Sequence, residues 1–194
     1  LHGRVKWGGA AGAGEKVALS AHHGDRYGYP DILSQSDETM ASEDGVFVFQ
    51  RVLPGLCQLS CPIIPDPGNA AGFTAINLDG RLTHTTVAPG PAITPVVIGG
   101  VGRAVKGRLS GRASYDDITI HLHPTAPHIG LPGDDEIWKA WSAFQASPVG
   151  RLFFREGLKV AADGTFDIPA VLPGSYQVFF AAPGADAPVA FSSL

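Results

Sequence analysis

His121 and His123 alternate with Ile120 and Leu122 in the stretch ITIHLHPTAPH. Successive side chains of a strand point to opposite faces, so both imidazoles share one face, a spacing that metal sites use. His128 and the acidic run Asp134, Asp135 and Glu136 could complete the shell. The outer face of a strand is also normally polar, and two neutral His residues there need no metal to explain them. A little further on stand Trp138 and Trp141. Sugars stack on indole faces, so two Trp in one stretch are candidate glycan-binding residues; the same pair can equally serve as a lid over one side of a β-sheet.

Other chemistry is argued against by spacing. The run GGAAGAGEKV resembles a phosphate-binding loop only in its glycines, because Glu15 separates Gly14 from Lys16 and Val17 cannot ligate magnesium. It reads as a loop between two strands. Cys57 and Cys61 are four apart, hence about 13 Å apart on an extended strand, too far for a disulfide. With no Cys-x-x-Cys they read as small core residues. There is no Gly-x-Ser-x-Gly elbow and no His-Glu-x-x-His, and Asp116-Asp117 lie in turn-like sequence. No catalytic residue and no cofactor is assigned.

The elements that must position these residues announce themselves by repetition. EDGVFVFQRVLPG, residues 43–55, returns as ADGTFDIPAVLPG, residues 162–174. Asp44, Gly45, Phe47, Phe49, Val52, Leu53, Pro54 and Gly55 match Asp163, Gly164, Phe166, Ile168, Val171, Leu172, Pro173 and Gly174. Asp-Gly supplies a tight turn, Phe-x-Phe a half-buried strand, and Pro-Gly the next turn. Beyond Pro-Gly, Cys57, Leu59 and Cys61 align with Tyr176, Val178 and Phe180 at the period of a strand's inner face. Upstream, HGRVKW (2–7) resembles KGRLSG (106–111), and each leads to an apolar alternation. The second copy is longer, and its extra residues fit best between His123 and Arg151. There Ile137, Trp141 and Phe144 recur at helical spacing behind Asp134, which predicts a short helix over 135–145.

The expectation is an all-β chain of two tandem Greek-key-type β-sandwich domains, residues 1–99 and 103–194, the second with a helix-bearing insertion. Twenty-five Gly and sixteen Pro among 194 residues suit a turn-rich β fold, and 44% hydrophobic residues argue against disorder. A net charge of −4 without a basic cluster argues against a nucleic-acid binder, and no run is long and apolar enough for a membrane span. The chain begins without Met, already in strand-like sequence, and reads as a mature or excised piece. After Pro173-Gly174 only twenty residues remain, so the second copy is expected to lack its last strand. Either the chain is cut short of that strand or another subunit donates it.

With these residues in place, the order G-R-V, apolar strand, D-G-x-F, V-L-P-G-x-Y resembles the carboxypeptidase regulatory-like domain, a transthyretin-like β-sandwich found in tandem on secreted and cell-surface proteins. Tyr176 makes the second copy the better match; Cys57 stands there in the first. The resemblance implies a non-enzymatic structural or adhesion module, extracellular or in the cell envelope, acting through protein partners or self-association at open strand edges, including filament formation by strand donation. A carbohydrate-binding module using Trp138 and Trp141, or an accessory segment of a larger secreted enzyme, are the alternatives.

Overall fold

The computed structural model of the chain describes residues 1–23, 33–63, 78–90, 95–125, 135–183 and 190–193. These divide into two compact units, Leu1–Gly100 and Val101–Leu194, and the architecture is all-β. No helix among the described residues is long and apolar enough to cross a membrane.

Unit 1 holds β1 (His2–Trp7), β2 (Ala10–Ala11), β3 (Lys16–His23), β4 (Leu33–Met40), β5 (Val46–Val48), β6 (Gly55–Ser60), β7 (Leu82–Val87) and β8 (Pro95–Gly100). One sheet is antiparallel throughout, in the order β4-β3-β6-β7. The other is built on β1, whose one edge pairs antiparallel with β2 and β5 and whose other edge pairs in parallel with β8. Alternation puts Val5, Trp7, Val17, Leu19, Phe47, Leu59, Val96 and Ile98 inside, all buried.

Unit 2 holds β9 (Arg103–Arg108), β10 (Thr119–Pro124), α1 (Asp135–Ala146), α2 (Gly150–Phe153), β11 (Arg155–Lys159), β12 (Thr165–Val171), β13 (Tyr176–Ala181) and β14 (Ala190–Ser193). Its larger sheet runs β11-β10-β13-β14, and β9 pairs with β12. Ile118, Ile120, Leu122, Ile168, Tyr176 and Val178 form the interior.

The repeated phrase is repeated in hydrogen bonds. Val5 N donates to Gly45 O at 2.8 Å, and Leu109 N donates to Gly164 O at 2.9 Å. Gly3 stands opposite Phe47 as Gly107 stands opposite Phe166, and Leu19 opposite Leu59 as Leu122 opposite Val178. Strands β1, β3, β4, β5, β6 and β7 thereby correspond to β9, β10, β11, β12, β13 and β14. Gly45 and Gly164 have φ of 72° and 87°, which L side chains rarely adopt. A methyl group on either would come within 2.5 Å of a backbone oxygen, that of Val5 or that of Leu109. The Asp-Gly pair therefore recurs because the turn must both reverse the chain and press it against the first strand of its own copy.

Three differences in their elements separate the copies. The insertion falls between β10 and β11, where the sequence places it; α1 spans Asp135–Ala146, and α2 follows it, a turn that no periodicity announced. Strands β2 and β8 have no counterparts among the described residues of unit 2, where β9 has one partner, β12. The two strands after Pro173-Gly174 both form, and the strand without a match among the described residues that would follow them is the parallel one beside the first strand of the copy.

Candidate functional site

His121 and His123 lie on one face of β10, as their spacing dictates, with Ile120 and Leu122 buried on the other. His121 Nε2 is 3.2 Å from Thr119 Oγ1. The ring of His123 sits 5.9 Å from that of Phe154 and 5.3 Å from that of Phe179. Its Nε2 is buried without a hydrogen bond, and Glu156 Oε1, at 3.7 Å, is too distant to supply one. Burial pushes the His123 pKa down, and the Glu156 carboxylate opposes that shift in part. His128 and Asp134 lie outside the described residues. Among the described residues no three His, Cys, Asp or Glu are grouped closely enough to hold a metal ion.

The structure parts the two Trp residues. Trp141 is buried, edge-on to Phe154 at 5.8 Å and 6.2 Å from Phe144, whereas Trp138 is 50% exposed. The platform expected of both indoles together is not formed, because Trp141 packs against Phe144 and Phe154 while Trp138, three positions away on the same helix, is left half exposed. Trp141 is part of a lid: Phe144 and Phe153 continue the seam, and Phe153 is fully buried. Beside it a cleft of ≈ 470 Å³ is lined by Gln145, Arg151, Phe154, Arg155, Glu156 and Leu158.

Cys57 and Cys61 are free and fully buried. Burial pushes the Cys61 thiol up to about 12, with Arg81 opposing, and raises Cys57 as well. Both thiols stay protonated at neutral pH, in keeping with small core residues.

A polar cluster that the sequence did not announce lies in unit 1. Arg81, 3% exposed, donates through Nη2 to Glu15 Oε2 at 2.7 Å and through Nε to Cys61 O at 2.7 Å. Its guanidinium stands 4.6 Å from the centre of the Trp7 ring, and Trp7 Nε1 donates to Glu15 Oε1 at 2.9 Å. Glu15, which spoils the phosphate-loop pattern, is thus a structural anchor tying β1 to the end of β6. Unit 2 does without it. Ala41 N donates to Glu15 O where Val160 N donates to Ile118 O, so buried Ile118 takes the place of Glu15. Ala190, paired with Phe180, takes that of Arg81.

The remaining feature is the edge of β9 that carries no partner strand among the described residues. In unit 1, Val5 and Phe47 are 0% and 1% exposed, with β8 alongside. Their counterparts Leu109 and Phe166 are partly exposed, as are Val105 and Gly107. A methyl group added at Gly3 would meet the Phe47 ring at 2.3 Å and the Val96 carbonyl oxygen at 2.6 Å. At Gly107 it would meet the Phe166 ring at 2.3 Å, and the nearest atoms are all of that ring. The pattern Phe-x-Phe carries no signal of this difference, since what differs is the neighbour and not the strand. The chain matches no protein-family model, no curated protein and no solved structure.

Proposed function

We propose that the protein is a non-catalytic structural or adhesion module, extracellular or in the cell envelope, that works through protein–protein contacts at strand edges. The observation carrying this reading is an open edge: among the described residues β9 has one partner, β12, where its counterpart β1 also has β2 and, along its other edge, the parallel strand β8. An edge strand with unpaired backbone groups beside partly exposed apolar side chains is a template for another chain. The resemblance of both copies to carboxypeptidase regulatory-like domains supports the same reading, and so does the structural use made of Glu15, Arg81 and Trp141. Light scattering on the purified chain tests it: self-association through strand edges gives a native mass well above 20.2 kDa that falls to that value in denaturant. A monomer that also captures no protein from a cell-envelope extract overturns it. Exposed Trp138 favours a second reading, retention of glycans. Retention on a glycan column that Trp138→Ala abolishes would establish it.

A further inference from the structure

Resting on that reading of strand edges as contact surfaces, we propose that β9 is an acceptor for one specific kind of occupant: an extended segment, added in parallel, with β-branched apolar residues at two alternate positions. The molecule contains its own template. In unit 1, β8 runs parallel to β1 with Val96 beside Gly3 and Ile98 beside Val5. Both side chains point inward, Val96 8% and Ile98 0% exposed, while Val97 between them is 52% exposed. Transferred through the matched positions, the incoming strand sets one β-branched residue beside Gly107 and the next beside Leu109. It covers the two side chains that are partly exposed here and buried at the matched positions of unit 1, Leu109 and Phe166.

The charges on β9 do not bar such a partner. Arg103, Lys106 and Arg108 are the kind of residues that blunt edge strands. Lys106 and Arg108, however, occupy the places of His2 and Arg4, which stand on β1 while it carries β8. Lys106 is paired with Asp167 at 2.9 Å, and Arg108 Nε donates to Asp163 O at 3.2 Å, so both are turned toward β12 and its turn rather than across the free edge. The parallel sense also selects against the commonest accidental contact, an antiparallel meeting of two identical edges. The donor is therefore a segment of β8-like chemistry and not a second copy of β9.

The test supplies the donor in cis. The full chain is extended past Leu194 by a Gly/Ser linker of about nine residues, the spacing at which a β8 counterpart would follow β14. After it comes a second copy of residues 93–100, Ile-Thr-Pro-Val-Val-Ile-Gly-Gly. Amide hydrogen exchange over residues 103–108 should slow at least about tenfold relative to the unextended chain. An extension in which the inward Val and Ile are both Asp should give no slowing. Unchanged exchange, or equal slowing by the Asp-bearing tail, overturns the assignment. Light scattering on the same proteins separates this from the broader reading. Assemblies that persist with the extension in place, with β9 unprotected, leave contact at strand edges standing and remove β9 as its seat. Protection of β9 in a chain that is monomeric without the extension keeps the acceptor and removes self-assembly.

Discussion

The Glu15–Arg81 pair offers a test with its own internal control, because unit 2 shows what the same position looks like without charge. Replacing Glu15 by Ile leaves the guanidinium of Arg81, 3% exposed, without its carboxylate, though still held by the Cys61 carbonyl and the Trp7 face. Removing one partner of a buried pair costs about 3–5 kcal/mol. Arg81→Leu leaves a carboxylate that is 19% exposed and can turn toward water, so its cost should be smaller, about 2–4 kcal/mol. The double variant removes both charges and sets an Ile where unit 2 has Ile118; well-packed apolar replacement of a buried pair is close to neutral, and a loss of about 0–1 kcal/mol is expected. The coupling energy is then at least about 4 kcal/mol. Urea unfolding followed by Trp fluorescence measures it, in a background with Trp138→Phe and Trp141→Phe so that Trp7, the third of three Trp, reports unit 1 alone. A double variant that loses the sum of the single losses would refute the reasoning, since the pair would then contribute through packing rather than through mutual charge.

Gly3→Ala should destabilise unit 1 by about 2–3 kcal/mol, because both a ring and a carbonyl oxygen occupy the space; Gly107→Ala should cost unit 2 about 1 kcal/mol less, since the partly exposed Phe166 ring can swing aside. Denaturant melts of the two variants compare them directly. Tyr176, 2% exposed, buries a hydroxyl with no hydrogen-bond partner, and Tyr176→Phe should stabilise unit 2 by roughly 1 kcal/mol. The same burial pushes the Tyr176 phenol up to about 12, with Arg155 opposing, so the wild-type chain should lose stability as pH climbs from 10 toward 12, and the Phe variant should lose less in alkaline melts. His123, whose folded pKa is lowered, favours the fold above its unfolded pKa of 6.5 and withdraws that support as pH falls below it. His123→Gln should flatten the acid limb of a stability-against-pH curve between pH 7 and 5; an unchanged slope would mean that the imidazole is as well solvated in the fold as out of it.

What could be read from the sequence was whatever repeats at short range. Asp44-Gly45 and Asp163-Gly164 announce their turns because only a flexible residue tolerates that backbone, and the Phe-x-Phe alternation follows from the pleat. The helix at Asp135–Ala146 was readable from Ile137, Trp141 and Phe144 for the same reason, one face at one period. Which of Trp138 and Trp141 would be buried was not settled by treating the two as a pair, since both lie in one turn and the answer depends on where Phe154 waits in the fold. Glu15 and Arg81 stand 66 residues apart, and no local pattern joins them. His121 and His123 were found on one face as expected, but the rings that crowd His123 come from the insertion and from β13, far along the chain.

The parallel pairing of β1 with β8 has a consequence in time. It joins residue 2 to residue 95, so the first strand of this copy to be synthesised is completed by the last. At synthesis rates of ~5–20 residues per second, β1 waits on the order of ten seconds for that partner. Loop closure over so long a separation also makes the pairing slow once both strands exist. During that interval the nascent first unit presents the same kind of edge that β9 presents among the described residues. An early-emerging copy with an open β1 is a competitor for whatever strand β9 would take, and the arrival of β8 is the event that ends the competition.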